Sequence, residues 1–273
     1  MMDKAIDLNQ QETWPEEIVD DLNVSLTMLR AHEKDRRRVD KLCENDVFAR
    51  VNPPEVRHSG ERALLLKRID SCLNDCFLLG FHCTRFHESE IEVVKKEGLK
   101  PLSEELAYGR VRRLQEIGAL PPQVALRLLS ENVVNNRYGK RLGRLCFIFS
   151  RSSLKDKNGV FKLLSYWGGE ALYRAHTNDQ EVAPVLKTIG HPCIVQAAIP
   201  IAMLNTRSSV SDKLVSLFLR TRGIATTDDG LFEDSIDQVL DSKNIQRIIE
   251  YGETEFEMLT GCEKWRCCLT SSS

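Results

Sequence analysis

Three short apolar runs constrain the fold of this chain more than any other feature. FHCTRF at 81–86, LCFIFS at 145–150 and CIVQAAIPI at 193–201 have the length and the apolar content that are typical of buried strands. Longer stretches with helical periodicity separate them, without the regular strand–helix alternation of a parallel α/β sheet. The sequence therefore predicts an α+β protein.

The N-terminal part of the chain is predicted to be helical. Apolar residues recur at helical spacing after Pro15, at Ile18, Leu22, Leu26 and Leu29, and they predict a helix over about residues 16–32. The basic run EKDRRRVDK that follows is expected to be a solvated extension of this helix or a linker. Because NPPE breaks any helix, we predict an N-terminal helical segment over 1–55 and a second domain over 56–273.

Further helices are predicted between and after the apolar runs. They lie at 59–78, at 88–98 with Gly98 as the cap, at 103–134 as two helices, at 160–176 with a break at Gly168 and Gly169, and at 210–223. TTDDGLFEDSID at 226–237 is predicted to be an acidic loop. NIQRIIEYGETEFEML at 244–259 is predicted to form one or two late strands, with its last three glutamates on one strand face.

Composition argues against several classes of partner and cofactor. With 38 Lys and Arg against 40 Asp and Glu, the net charge of -2 provides no basic field, so nucleic acid is not an expected partner. The chain has neither a signal-peptide pattern nor a long uncharged apolar stretch, so we expect a cytoplasmic protein without a membrane partner. The nine scattered cysteines are expected to be reduced thiols, and they lack the two separated ligand pairs of a structural zinc site, so no metal is predicted.

The stretch FHCTRFHESEIEVVKKEGL resembles the first strand and helix of the ADP-ribosyltransferase fold. The matching residues are Phe81, His82, Thr84, Ile91, Gly98 and Leu99. The resemblance implies a split antiparallel sheet with helical insertions, and NAD as a substrate. It also implies that His82, Thr84 and Arg85 contact the adenosine ribose or a phosphate of NAD. This sequence departs from the family at Cys83, where glycine is usual.

Two later stretches are similar to motifs of the same family. FSRSS resembles the aromatic-Ser-x-Ser motif of its Arg-Ser-Glu branch, which implies that Ser150 and Ser152 support the NAD pocket. YGETEFE resembles the late Glu-x-Glu motif of that branch and implies that Glu255 is catalytic. The other branch places a tyrosine where this chain has Phe147 and Phe149.

WGGEALY contributes a second carboxylate and two aromatic candidates. Breaking the nicotinamide–ribose bond produces an oxocarbenium-like sugar, which a carboxylate bound to the 2-hydroxyl stabilises. Glu170 is therefore a second catalytic candidate. Trp167 and Tyr173 are candidate rings for cation–π contact with nicotinamide.

The resemblance implies an NAD-dependent mono-ADP-ribosyltransferase-like enzyme, such as a toxin or defence protein, which modifies a macromolecular acceptor, most simply a protein. Hydrolysis of NAD is the variant in which water attacks. One alternative is a noncatalytic interaction module whose N-terminal helices bind a protein partner. Another is an NAD-using RNA 2'-phosphotransferase-like enzyme, for which RYGKRLGR at 137–144 is the supporting basic stretch.

Each candidate site residue also has a purely structural interpretation. A histidine in the position of His82 is more often a satisfied core or edge residue of a strand, and an arginine in the position of Arg85 is more often a solvated surface charge. Ser150 and Ser152 are also typical of a strand end, where hydroxyls bond to turn amides. The late glutamates are also typical of an exposed sheet edge.

Overall fold

The described chain folds into two units. A computed structural model describes residues 5–134, 141–155, 160–207, 209–265 and 269. The first unit contains the described residues up to Leu78 together with Pro200–Ala202 and Thr206–Phe232, and the second contains Leu79–Ile199, Met203–Asn205 and the described residues from Glu233 onward. The boundary predicted after residue 55 falls inside the first unit.

Helices dominate the described ranges. Numbered along the chain, they are α1 (Glu16–Val24), α2 (Leu26–Asn45), α3 (Val47–Val51), α4 (Ser59–Cys72), α5 (Glu88–Glu97), α6 (Glu104–Glu116), α7 (Pro122–Ser130), α8 (Val160–Ser165), α9 (Glu170–Tyr173), α10 (Val182–Thr188), α11 (Ser209–Thr221) and α12 (Thr254–Thr260). The strands are β1 (Phe77–Phe86), β2 (Leu145–Ile148), β3 (His191–Pro200), β4 (Glu233–Ile236) and β5 (Ile245–Glu250). No helix in the described ranges has both the length and the apolar character needed to cross a membrane.

The first unit is built from α1–α4 and α11. Its helices bury apolar stripes, and the side chains with 1% exposure or less include Ile18, Leu22, Leu29, Leu65, Ile69, Val210, Leu214 and Phe218. The helix predicted over 16–32 is two helices, because the chain breaks at Ser25, and the basic run belongs to α2. Phe77, predicted to lie on the apolar face of the helix over 59–78, instead begins β1, because α4 ends at Cys72.

The second unit contains a single five-stranded sheet in the described part of the chain. Its strand order is β4-β2-β1-β3-β5, and the β1/β2, β2/β4 and β3/β5 pairs are antiparallel. All three apolar runs form strands, so the α+β prediction is confirmed. The sheet is one continuous array, whereas the resemblance implied a split one.

Helices α6, α7, α9 and α10 provide a second apolar core in this unit. Its fully buried members include Val111, Leu114, Leu128, Trp167, Leu172 and Leu186. The break that the sequence predicted in the helical stretch 160–176 lies between α8 and α9, where Gly168 and Gly169 have φ values of 98° and 70°. These are left-handed conformations that favour glycine.

Two predictions near the C-terminal end of the chain are wrong. The acidic stretch 226–237 includes β4, which pairs with β2 through Leu145–Ile236 and Ile148–Glu233. The glutamates of YGETEFE are not on a strand, because β5 ends at Glu250 and α12 follows a turn at Gly252, whose φ is 102°. In a helix, Phe256 and Leu259 lie on the same face, and both are buried. In a strand, residues three positions apart point to opposite faces, so the two could not be buried together.

Candidate functional site

His82 lies in the middle strand of the sheet and remains partly exposed. Its Nδ1 is 2.9 Å from the carbonyl oxygen of Cys146. A carbonyl oxygen only accepts hydrogen bonds, so Nδ1 carries the hydrogen and Nε2 presents a lone pair. Burial lowers the pKa of His82; the charge of Arg110 lowers it further, while the bond to Cys146 opposes both. Near neutral pH the ring is therefore uncharged and offers one acceptor.

Arg110, on α6, is the cation of this site. Its guanidinium lies 5.0 Å from the ring centre of Trp167 and 5.9 Å from that of Phe86. Its Nε donates to Oε1 of Glu90 over 2.6 Å. The Nη2 atom is buried and has no hydrogen-bond partner among the described residues. Buried donors are nearly always paired in folded proteins, so an unpaired one is an exception. Nη2 can therefore donate a hydrogen bond to an anionic group of a ligand.

Glu90 holds Arg110 and Trp167 in place. Its Oε2 accepts from the indole nitrogen of Trp167 at 2.7 Å and from the backbone nitrogen of His87 at 2.8 Å. The second bond belongs to a capping box, in which the side chain of His87 caps α5 and Glu90 reaches back. Burial alone would raise the pKa of Glu90, but the charge and hydrogen bond of Arg110, with the other donors, bring it below its usual value. Glu90 is therefore an anion.

Thr84 and Arg85 occupy opposite faces of β1, because neighbouring residues alternate in a strand. Thr84 is buried and lies on the His82 face. Arg85 is buried too, with Nε 2.7 Å from the carbonyl oxygen of Ile189 and Nη1 3.3 Å from that of Leu164. Burial lowers the pKa of Arg85 to about 10. Its donors are engaged by backbone carbonyls, so it links segments of the core.

The two aromatic candidates are both buried. Trp167 is 0% exposed, and its ring is covered by Arg110. Tyr173 is 3% exposed and packs against Tyr166 with ring centres 5.3 Å apart, and burial raises its pKa. Neither ring presents an open face for nicotinamide in this structure.

The two candidate carboxylates lie in different places, and both are ion-paired. Glu170 pairs with Arg141 and, at 3.1 Å, with Arg174. Its charge also acts on Cys146, the residue whose carbonyl binds His82. Glu255 lies in the first turn of α12 and pairs with Arg247 of the edge strand β5, which β3 separates from β1. Of the two, Glu170 is the one whose charge acts on a residue of β2, the strand that pairs with β1.

Ser150 and Ser152 differ in exposure. Ser150 is buried just after β2, and its Oγ is 2.7 Å from Oγ of Ser153. Ser152 is exposed. The structure therefore places Ser150 within a local turn network, where it orders the end of the strand. Of the basic stretch 137–144, residues 137–140 lie outside the described residues.

Sequence reasoning missed Glu90 and Arg110. Both are charged residues on amphipathic helices, where solvent exposure is the usual expectation. The only local signal is Glu90 three residues after His87, at the position of a capping-box acid. Nothing in the neighbourhood of Arg110 in the sequence distinguishes it from Arg112 or Arg113.

Comparisons with models of known protein families, with curated protein sequences and with solved structures gave no match to this chain. The resemblance to ADP-ribosyltransferases therefore stays a prediction based on the motifs quoted above.

The pKa of His82 predicts a pH dependence of stability. The folded state holds this pKa below its ordinary value of 6.5, so unfolding takes up a proton once the pH falls below that value. We expect the free energy of unfolding to be highest above about pH 6.5 and to fall as the solution is acidified towards about pH 5. His82→Asn keeps a donor near Nδ1 and cannot be protonated. Denaturant unfolding at a series of pH values across this range should show that the free energy of unfolding of the variant depends less on pH. An unchanged pH dependence would contradict the lowered pKa of His82 in the folded state.

Proposed function

We propose that the second unit binds NAD at the His82 face of its sheet and transfers ADP-ribose to a macromolecular acceptor. The observation that supports this most directly is the juxtaposition of His82 and Arg110. A neutral imidazole with an available lone pair lies within electrostatic range of a guanidinium that has an unpaired buried donor. An acceptor next to a cationic donor matches adjacent ribose and phosphate groups of a dinucleotide.

In this proposal each of the two residues binds one part of the cofactor. A hydroxyl of the adenosine ribose donates to Nε2 of His82, and a diphosphate oxygen accepts from Nη2 of Arg110. Hydrogen bonds between a guanidinium and phosphate are among the strong ones, because both groups are charged. Glu90 fixes the orientation of the guanidinium before the ligand arrives, which reduces the entropy lost on binding.

Glu170 is the carboxylate assigned to the chemical step. The bond between ribose C1' and nicotinamide breaks, its electron pair leaves with nicotinamide, and a positive charge develops on the sugar. Glu170 accepts a hydrogen bond from the ribose 2-hydroxyl and stabilises that charge. Arg141 and Arg174 pair with Glu170 and are available to the diphosphate. The acceptor nucleophile then bonds to C1' and releases its proton.

The proposal predicts separable effects on binding and turnover. NAD should raise the melting temperature of the protein, and incubation with cell extract should release nicotinamide. His82→Asn should weaken NAD binding by at least about tenfold, because one hydrogen bond is lost. Glu170→Gln should retain binding and lower nicotinamide release by at least about 100-fold.

Two matched carboxylate variants complete this experiment. Glu255→Gln tests the other candidate, and Glu92→Gln is the control, since Glu92 is 73% exposed and pairs only with Lys95 among the described residues. We expect both to behave like the unmodified protein. If NAD neither shifts the melting temperature nor yields nicotinamide with any extract, the proposal fails. Addition of 2'-phosphorylated RNA to the same assay tests the phosphotransferase alternative.

One observation favours a noncatalytic interaction module as a second candidate. The short helix α3 exposes three apolar side chains, with Val47 71%, Phe48 75% and Val51 71% accessible. Apolar side chains clustered on a surface often mark a protein interface. Val47, Phe48 and Val51 lie in the N-terminal helical segment, where the sequence predicted a protein partner. Phe48→Ser should leave NAD binding and folding intact while abolishing co-purification of a specific partner, if this candidate is correct.

A further inference from the structure

The outer faces of α1 and α2 carry a row of polar and charged side chains. Its members are spaced alternately four and three positions apart: Glu16, Asp20, Asn23, Thr27, Arg30, Lys34, Arg37 and Lys41. This spacing keeps residues on one face of a helix, and all eight are exposed. The two N-terminal members are acidic and the four C-terminal members are basic. The row, which we call the outer stripe, therefore has opposite charges at its two ends.

Helices α1 and α2 share this stripe because both run along α4. Asp21 of α1 pairs at 3.0 Å with Arg68, in the C-terminal half of α4. Asp35 of α2 accepts at 2.9 Å from the backbone nitrogen of Arg57, which lies two residues before α4 begins. At the break between the two helices, Ser25 keeps helical backbone angles, and its nitrogen still donates to the carbonyl oxygen of Asp21. The two helices therefore stay roughly in line across the break.

The charges of the outer stripe lack partners within the described part of the chain. Six residues form no ion pair and no side-chain hydrogen bond there: Glu16, Asp20, Arg30, Lys34, Arg37 and Lys41. Elsewhere on α2, Arg36 pairs with Asp40 and Arg38 pairs with Asp35. The arginines of α2 outside the stripe are thus paired within the chain, whereas the cations of the stripe are available to a partner.

We propose that two copies of this chain pair antiparallel through their outer stripes. The pairing brings unlike residues of the two copies together: Glu16 opposite Lys41, Asp20 opposite Arg37, Asn23 opposite Lys34, and Thr27 opposite Arg30. Each contact occurs twice, because a twofold axis relates the copies. The acidic end of one copy neutralises the basic end of the other, and the central amide and hydroxyl oxygens accept from cations. Glu44, the next position along α2, lies beyond the start of α1 of the second copy.

The mixed charge of the stripe is the reason for choosing a second copy as the partner. Nucleic acid would match the basic end, but Glu16 and Asp20 would repel its phosphates. An acidic helix would likewise match only the basic end. A second copy matches both ends, as a self-complementary interface requires. From Glu16 to Lys41 the stripe is about 37 Å long at 1.5 Å per residue, which allows extended contact between helices.

Sedimentation velocity on the full chain tests the association and its salt dependence. Exposed ion pairs each contribute little and are screened by salt. At about 0.01 M salt we expect a dimer with a dissociation constant of about 0.1 mM or tighter. At about 1 M salt, where the Debye length is only about 3 Å, the protein should be monomeric. A monomer at low salt, or a dimer that salt does not weaken, overturns the proposal.

Two charge-reversed variants test whether the outer stripe forms the contact. Arg37→Glu with Lys41→Glu makes both ends acidic, and Glu16→Lys with Asp20→Lys makes both ends basic. Each variant alone should associate at least about tenfold more weakly than the unmodified chain, because like charges then oppose each other. An equimolar mixture of the two should form a heterodimer, since every acidic end then faces a basic one. Recovery of association in the mixture also shows that both variants are folded.

Lys96→Glu with Arg112→Glu is the matched control. Both residues are exposed in the second unit, and the net charge changes by the same amount as in the Arg37 and Lys41 variant. We expect this control to associate like the unmodified chain. An equal loss in the control, or a mixture that stays monomeric, overturns the proposal. If a short DNA duplex binds a monomeric chain through Arg37 and Lys41, the basic end serves nucleic acid instead. None of these outcomes depends on NAD.

Discussion

Replacing Glu90 with glutamine is expected to lower the free energy of unfolding by about 3 kcal/mol. The carboxylate accepts from Arg110, Trp167 and the backbone nitrogen of His87. A glutamine has only one acceptor oxygen, so its amide nitrogen would face a donor. The guanidinium of Arg110 would also lose its buried counter-charge, which is the larger part of the loss. Chemical denaturation followed by circular dichroism measures the change.

Glu92→Gln is the matched control for this prediction. Glu92 is two residues further along α5, is largely exposed and pairs with Lys95 at 3.0 Å. Its replacement should change the free energy of unfolding by less than about 0.5 kcal/mol. A second comparison is the double variant Glu90→Leu with Arg110→Leu, which removes both charges and should recover part of the loss. Equal effects of Glu90→Gln and Glu92→Gln would show that the buried network does not stabilise the fold.

Gly190→Ala is expected to destabilise the protein by more than about 3 kcal/mol. Gly190 has a φ of 62°, and a Cβ placed there would be 2.1 Å from the carbonyl oxygen of Phe86 and 2.6 Å from the backbone nitrogen of His87. Both are main-chain atoms at the junction of β1 and α5, so a rotamer change does not relieve the contact. The clash also displaces the cap on which Glu90 depends. Thermal unfolding should show a large decrease in the melting temperature.

Gly118→Ala separates the steric clash from the effect of backbone conformation. Gly118 also has a positive φ, 74°, but its added Cβ would meet nothing within 4 Å. Only the left-handed conformation is then penalised, by about 1 to 2 kcal/mol. The difference between the two variants therefore measures the close approach of Gly190 to Phe86. If Gly190→Ala and Gly118→Ala lower the free energy of unfolding by the same amount, the packing between Gly190 and Phe86 is looser than the structure indicates.

The strands other than β4, and most helices, could be predicted because their signals are local. FHCTRF, LCFIFS and CIVQAAIPI are short apolar runs, and each forms a strand at its predicted position. Gly98 ends α5 and Pro122 begins α7 as expected, since these residues restrict or permit particular backbone angles wherever they occur. The strand predicted over YGETEFE is wrong because this segment carries two residue spacings. Its glutamates repeat every two residues, as in a strand, but Phe256 and Leu259 are three residues apart and favour a helix.

The environment of the candidate residues was much less predictable. Arg85 was expected at the surface or on a phosphate, and it is buried against the carbonyl oxygens of Ile189, Leu164 and Leu269. These partners are 79 to 184 positions away in the chain, so no local pattern reports them. Glu90 and Arg110 are separated by 20 residues and meet only because α5 and α6 fold together.

The amino-acid sequence by itself determined the α+β class, the positions of the strands other than β4, and the helix ends at glycine and proline. Backbone preferences and hydrophobic periodicity act over a few neighbouring residues, so they can be recognised in the sequence. Only the tertiary structure decided which charges are buried, which tautomer His82 adopts and which donors remain unpaired. These properties depend on groups far apart in the chain, whose approach removes water and so changes the energy of every charge and hydrogen bond between them.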